Sequence, residues 1–353
     1  MDLAAIDELL AELTAQDRFS GVVHFEGATG PVASNAYGLA SRAWGVPCTM
    51  DTRFDCASMT KLFTAVVALQ VIDEGGFALD TDVVSYLGLE GTALGPGITP
   101  YHLLTHTSGI ADDADEEAGE SYEDLFVATP NYAVRTTEDH LPFFVHKEPN
   151  FAPGAGCRYC NSGYMLLGLM VERARGVPFV DCVADRVFRP AGMTRSGFFS
   201  MDRVEPDVAE GVDPVTGPDG EIAGWRRNIY SYPPIGSPDG GAHVTAGDMV
   251  RFHRALVGGE LLSAAATQAM LEPKVPYRPD ELQGRMTGFC LQFEQHTDGR
   301  IRSSWKEGIN VGASGILAHY PEPDITLVML SNLEDGVWEP LREIDRQLAP
   351  PLD

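Results

Sequence analysis

A chain of 353 residues with 44% hydrophobic and 22% charged content can bury a substantial core, and its length sets an expectation of about two domains. Its formal net charge of -26 opposes every approach to a phosphate backbone or an anionic membrane surface, so neither nucleic acid nor a membrane is an expected partner. The N-terminus has no basic segment followed by an apolar one, and no run of about 18 apolar residues occurs; a cytoplasmic location is the resulting expectation.

In chain order, Ile6, Leu9, Leu10 and Leu13 fall at the spacing of one apolar helix face. A strand-like stretch at 21–25 follows, then turn residues at 27–31 and a second extended stretch. The middle is predicted to be mainly helical, with runs at 62–72, 164–175 and 178–187, and with Gly75-Gly76 and Gly176 as C-terminal stops. Residues 112–124 carry eight carboxylates and no basic residue, which reads as a solvated loop or as one that repels anionic substrates. Thr245-Ala246-Gly247-Asp248 resembles a capping box opening a helix that contains Val250, Phe252 and Leu256. Short strands are expected at 288–294, 302–306, 314–320 and 325–330 as an antiparallel meander, and Val337, Leu341, Ile344 and Leu348 give a closing helix one apolar face.

The predicted fold is an α/β chain of the α+β kind: an antiparallel sheet flanked by N- and C-terminal helices, with a largely helical second domain inserted. The expected boundaries are 1–55 for the first part of the α/β domain, 56–240 for the mainly helical domain and 241–353 for the second part of the α/β domain. Six cysteines in so long a chain are expected to be reduced core or pocket residues. Cys157 and Cys160 have redox or zinc half-site spacing, but no second pair completes a ligand set, and no metal or other cofactor is expected.

Ser58-Met59-Thr60-Lys61 carries the chemistry. On a helix, residues three apart share a face, so the Lys61 ammonium lies one turn beyond the Ser58 hydroxyl. Burial would lower the lysine pKa until a neutral amine can take the serine proton. The chain has four lysines against 21 arginines, so a lysine here is not incidental positive charge. Tyr159-Cys160-Asn161 follows a Gly/Pro-rich stretch and precedes a helical run; its phenol can carry protons, most readily as a phenolate beside Lys306, and its amide can bind a carbonyl or a lysine. Lys306-Glu307-Gly308 is placed at the end of a strand. Beyond it, the Ile309 N–H can meet a developing oxyanion together with the Ser58 N–H, and Gly308 permits close approach. Trp225, Tyr230, Tyr232 and the Pro233-Pro234 turn are candidates for an aromatic cleft wall.

With S-x-x-K, Y-x-N and K-x-G in order, the chain from about Val22 to Asn332 resembles the serine β-lactamase and penicillin-binding-protein superfamily, particularly its class C and esterase branch. Leu103-Leu104-Thr105-His106-Thr107-Ser108-Gly109, Pro190-Ala191-Gly192-Met193 and Gly240-Gly241 also look like that family. The resemblance implies a β-lactamase/transpeptidase-like fold, with Ser58 as nucleophile, Lys61 and Tyr159 as proton-transfer partners, and Asn161 and Lys306 as supporting polar groups. His106 belongs to a stretch that looks structural in the family. Glu307 departs from the pattern: β-lactam-processing members usually have threonine or serine there, and a carboxylate would repel a carboxylated ligand.

The resulting expectation is a serine hydrolase acting through an acyl-serine, an esterase or related acyl hydrolase or transacylase on a small ester or amide. A β-lactamase or D-Ala-D-Ala carboxypeptidase-type peptidase is the alternative within the family. A catalytically silent ligand-binding member is the alternative outside enzymes. The oligomeric state is not readable from the chain.

Overall fold

The structure, a computed structural model, describes residues 1–115, 118–278, 284–349 and 351. Its helices are α1 (Leu3–Ala15), α2 (Lys61–Asp73), α3 (Val83–Leu87), α4 (Pro100–Leu104), α5 (Tyr122–Ala128), α6 (Asn161–Arg175), α7 (Phe179–Val183), α8 (Ala246–Val257), α9 (Ala264–Met270) and α10 (Trp338–Leu348). The strands of the first part are β1 (Gly21–Gly27), β2 (Gly30–Tyr37), β3 (Leu39–Ser41), β4 (Val46–Pro47) and β5 (Phe54–Asp55). Those of the remainder are β6 (Val212–Thr216), β7 (Ile222–Arg227), β8 (His243–Val244), β9 (Val275–Pro276), β10 (Arg285–Thr287), β11 (Gln292–Gln295), β12 (Ile301–Asn310), β13 (Ala313–Tyr320) and β14 (Ile325–Ser331).

Eight strands form one sheet in the order β2-β1-β14-β13-β12-β11-β10-β9, and every neighbouring pair is antiparallel. Alternating side chains along a strand face opposite ways, and here both faces are covered. Val22 on β1 and Val328 and Leu330 on β14 enter the larger core beneath the helical region. Their neighbours Val23, Phe25, Leu327 and Met329 enter a second core with Ile6, Leu10 and Leu13 of α1 and Ile344 and Leu348 of α10. The terminal helices therefore cover one face, as the spacing of their apolar residues predicts.

On the other face lies α2, which is buried almost all round, from Leu62 to Leu69 and at Val71. A helix apolar on every side belongs inside a protein. This explains why Lys61, at its first turn, is 0% exposed.

Three local expectations are corrected. The strand predicted at 288–294 is two strands, because Gly288 donates to the Leu291 carbonyl at 2.8 Å and Cys290 takes a positive φ of 72°, making a turn between β10 and β11. Strand β12 runs on to Asn310, so Lys306 lies inside a strand rather than at its end. The run at 178–187 forms α7 and then a π-helical turn over Ala184–Phe188.

The capping box at Thr245 is half formed. The Thr245 side chain accepts from the Asp248 N–H at 3.1 Å, but the Asp248 carboxylate turns to the Arg195 N–H, the Ser196 hydroxyl and the Arg251 guanidinium.

Candidate active site

A turn of 3-10 helix, Ala57–Thr60, leads directly into α2 and carries Ser58. Ala57 has a positive φ of 44°, unusual for a residue with a side chain, and its N–H donates to Asp55 Oδ1 at 2.7 Å. The turn is held from two sides. Cys56 N–H donates to the Ala242 carbonyl at 2.9 Å, and Ala242 N–H donates to Thr60 Oγ1 at 3.0 Å. On the strand side, a Cβ at Gly308 would stand 2.2 Å from the Cys56 carbonyl oxygen and 3.1 Å from the Ser58 nitrogen. Only a glycine lets β12 lie this close to the serine turn.

Lys61 Nζ lies 2.9 Å from Ser58 Oγ, 2.6 Å from Asn161 Oδ1 and 2.6 Å from the Asp239 carbonyl oxygen. Burial lowers the Lys61 pKa, against the opposing pull of Asp239 and Asp112. A neutral amine has two N–H donors and one lone pair. The amide and carbonyl oxygens take both donors, leaving the lone pair for the serine hydroxyl.

Asn161 is the first residue of α6, and Asp112 fixes its orientation. Asp112 Oδ2 accepts from the Asn161 N–H at 2.9 Å and from Asn161 Nδ2 at 3.2 Å, while Oδ1 accepts from the Ser162 N–H at 2.8 Å. With its amide nitrogen held this way, Asn161 must present oxygen to Lys61. The same carboxylate meets the positive end of α6, a favourable placement of about 0.3–1 kcal/mol at an exposed site and more where partly buried. The acidic stretch at 112–124 is thus not wholly a solvated loop; Asp112 and Asp113 turn inward, and Glu116 and Glu117 lie outside the described residues.

Tyr159 lies between the two lysines. Lys306 Nζ is 3.5 Å from its hydroxyl and 4.6 Å from its ring centroid, and Lys61 Nζ is 5.1 Å from the centroid. A hydrogen bond links its hydroxyl to Ser58. Burial raises the Tyr159 pKa well above the ordinary phenol value, while it lowers Lys306 to about 8. Burial thus works against the phenolate expected beside Lys306, and the hydrogen bond from Ser58 offsets that effect only in part.

His106 stands behind this tyrosine, with ring centroids 4.5 Å apart, and its Nδ1 accepts from the Cys160 N–H at 3.1 Å. It buttresses Tyr159 and makes no contact with Ser58. Cys157 and Cys160 are both free thiols facing different backbone carbonyls, those of Thr105 and Ile110.

Ser58, Tyr159, Asn161, Lys306 and Ile309 all line one cleft of about 260 Å³, with Lys61 sealed beneath and Gly308 packed against the serine turn. The aromatic wall differs from expectation. Tyr232 and Pro233 line the cleft, whereas Trp225 stacks under the Arg42 guanidinium at 3.5 Å and Tyr230 is 70% exposed outside it. Tyr122, Leu125 and Phe126 of α5 and Phe143 also line the cleft. Asp112, the Asp239 carbonyl and α5 went unrecognised in the sequence because no spacing ties them to the three motifs.

A buried lysine at a serine hydroxyl, backed by a tyrosine and an oriented amide inside a cleft, defines a serine hydrolase of the active-site-lysine type. The chain belongs to the Beta-lactamase family, whose profile matches residues 6–349. It is 27% identical over 313 residues to penicillin-binding protein 4 of Amycolatopsis lactamdurans, covering 84% of this chain and 76% of that one. To esterase EstB of Burkholderia gladioli it is 33% identical over 205 residues, 56% of this chain and 52% of the esterase. The crystal structure of a penicillin binding protein from Bacillus halodurans superposes with a TM-score of 0.88 at 35% identity, covering 98% of this chain and 99% of that one. The antiparallel sheet with flanking helices and an inserted helical region is the architecture of that family.

Proposed function

We propose that this protein is an esterase or related acyl hydrolase that acts on a small ester or amide through an acyl-Ser58 intermediate. The observation that carries this reading is the buried Lys61 amine at 2.9 Å from Ser58 Oγ, with its two other hydrogen-bond positions already filled. In the first step neutral Lys61 takes the Ser58 proton as Oγ attacks the substrate carbonyl. The Ser58 and Ile309 N–H groups face the oxygen that becomes negative, each such donor contributing about 10²–10³ in rate. Tyr159, held as a phenol, donates its proton to the departing alcohol or amine and is reprotonated from the ammonium now on Lys61. Water, or a second alcohol or amine, then attacks the ester with the proton path reversed.

Glu307 on the cleft wall disfavours carboxylated β-lactams and supports an ester or amide substrate. Among the described residues no helix is long and apolar enough to cross a membrane. The six free thiols, five of them buried, support a reducing, cytoplasmic location.

A fluorophosphonate probe read by intact mass tests the reading: one adduct on the wild type and none on Ser58→Ala is expected, and an unlabelled wild type favours a silent binding protein. Lys61→Arg keeps charge but cannot accept a proton, and a fall of about 10²–10⁴ in ester turnover is expected. Faster turnover of a chromogenic cephalosporin than of short p-nitrophenyl esters would overturn the esterase assignment in favour of a lactamase.

A further inference from the structure

A second cavity, of about 470 Å³, adjoins the active-site cleft, and His140, Ile235, Gly236 and Ser237 line both spaces and so form the wall they share. His140 comes from a stretch of 3-10 helix over Thr137–Phe143, whose start is closed by the Thr136 N–H donating to Asp139 Oδ2 at 2.8 Å. Residues three apart eclipse one another on such a helix, so Thr137, His140 and Phe143 make one inward stripe. Thr137 donates its hydroxyl to Glu172 Oε1 at 2.9 Å, and Phe143 lines the cleft. His140 is 6% exposed, yet among the described residues neither of its ring nitrogens has a hydrogen-bond partner. Ser237, the other polar side chain of the wall, already donates to Asp239 Oδ1 at 2.6 Å.

A buried polar group left without a partner is costly, and one that persists at a cavity marks where a ligand or a water completes it. Burial lowers the His140 pKa, against the pull of Asp239 and Asp139. A neutral imidazole offers one N–H donor and one bare acceptor nitrogen, and a hydroxyl can meet either. A carboxylate only accepts, and Asp113 and Asp239 on the cleft lining repel it. Next to His140 the cleft is apolar: the Phe143 ring lies 6.4 Å from the imidazole, and Phe126 meets Phe143 edge to face at 6.2 Å. An apolar run that ends on one polar group matches a chain of methylenes that ends on a hydroxyl.

We propose that the cleft takes esters whose acyl part is an aliphatic chain bearing a hydroxyl, with His140 as the specificity-determining residue that binds that hydroxyl. The site is assigned to the acyl part because the departing group takes its proton at Tyr159, beside Lys306, whereas the charged neighbours of His140 are Asp239 and Asp139. His140 takes no part in bond making.

This inference rests on the acyl-serine reading, and two measurements separate their fates. The first is binding without turnover. Methyl 6-hydroxyhexanoate and methyl heptanoate, which differ by a hydroxyl in place of a methyl group, are titrated into Ser58→Ala protein by calorimetry, as are methyl 8-hydroxyoctanoate and methyl nonanoate. In at least one pair the hydroxy ester should bind about tenfold more tightly, the size of one buried hydrogen bond. Equal or weaker binding of the hydroxy ester in both pairs overturns the proposal.

The second is turnover of the same four esters by the wild type, where kcat/KM should favour the hydroxy ester of one pair by about tenfold. In His140→Phe, checked for folding by thermal melting, that ratio should fall to one or below, because the hydroxyl is then buried without a partner. His140→Gln, whose amide both donates and accepts, should keep part of it. An unchanged ratio in folded His140→Phe overturns the role of His140, and a gain seen instead with 6-hydroxyhexyl acetate over heptyl acetate overturns the assignment to the acyl part. A wild-type ratio of one in both pairs, with Ser58-dependent turnover, means that water alone completes His140; it overturns this inference and leaves the acyl-serine reading standing. Selective binding to Ser58→Ala protein, with no Ser58 adduct and no turnover in the wild type, does the reverse.

Discussion

Asp112 shows how a side chain outside the cleft lining can bear on the proposed proton path. Its carboxylate fixes the Asn161 amide and, through space, favours the charged form of Lys61. In Asp112→Asn the Lys61 pKa should fall further, because an opposing charge is lost. The acid limb of kcat/KM, which reports formation of the neutral amine, should therefore move to lower pH while the plateau drops by about 10² from misplacement of the amide. An unshifted limb with a lowered plateau would mean that Asp112 only supports the fold. Lys306 predicts the other limb. It is protonated below about 8, and the charge near Tyr159 is lost above it. Activity should decline as pH rises through that value, and in Lys306→Arg the decline should move to higher pH because guanidinium keeps its charge.

The serine turn and β12 are a single device, although 250 positions separate them. Gly308→Ala would drive a methyl group into the Cys56 carbonyl, and relief requires β12 to retreat from Ser58. Overpacking of this kind costs about 1–3 kcal/mol, so thermal or urea unfolding should show a loss of that order, accompanied by a fall in ester turnover larger than the loss of folded protein. Turnover per folded molecule at the wild-type level would show that the contact is not needed for chemistry. Amphipathic spacing was enough to place α1 and α10, because their periodic apolar residues report one buried side, while a helical run pointed to α6 and a capping pattern to α8. It failed at β10 and β11, where the positive φ of Cys290 breaks an apolar run that carries no glycine at that point. It failed again at Thr245–Asp248, whose acid found stronger partners on the 195–196 segment and on Arg251 than the helix start it was expected to close.

Taken together, the molecule is strongly anionic, with a formal net charge of -26. Self-repulsion at a net charge of -26 should make the fold gain stability as salt screens it. Raising sodium chloride from about 0.01 M to about 0.5 M should raise Tm by several degrees, and a flat or falling Tm would show that local ion pairs outweigh the global charge. S-x-x-K, Y-x-N and K-x-G were readable along the chain because each is a short local pattern whose residue types limit the chemistry. So were the terminal helices and most of the meander. Folding alone decided that Ser58, Tyr159 and Lys306 meet in one cleft, that Lys61 is fully buried, and that burial pushes the Tyr159 phenol pKa up. Those properties depend on desolvation and on distances between residues a hundred or more positions apart, and neither is encoded in any local stretch. Asp112, Asp239 and α5 entered the site for the same reason: long-range packing brought them there.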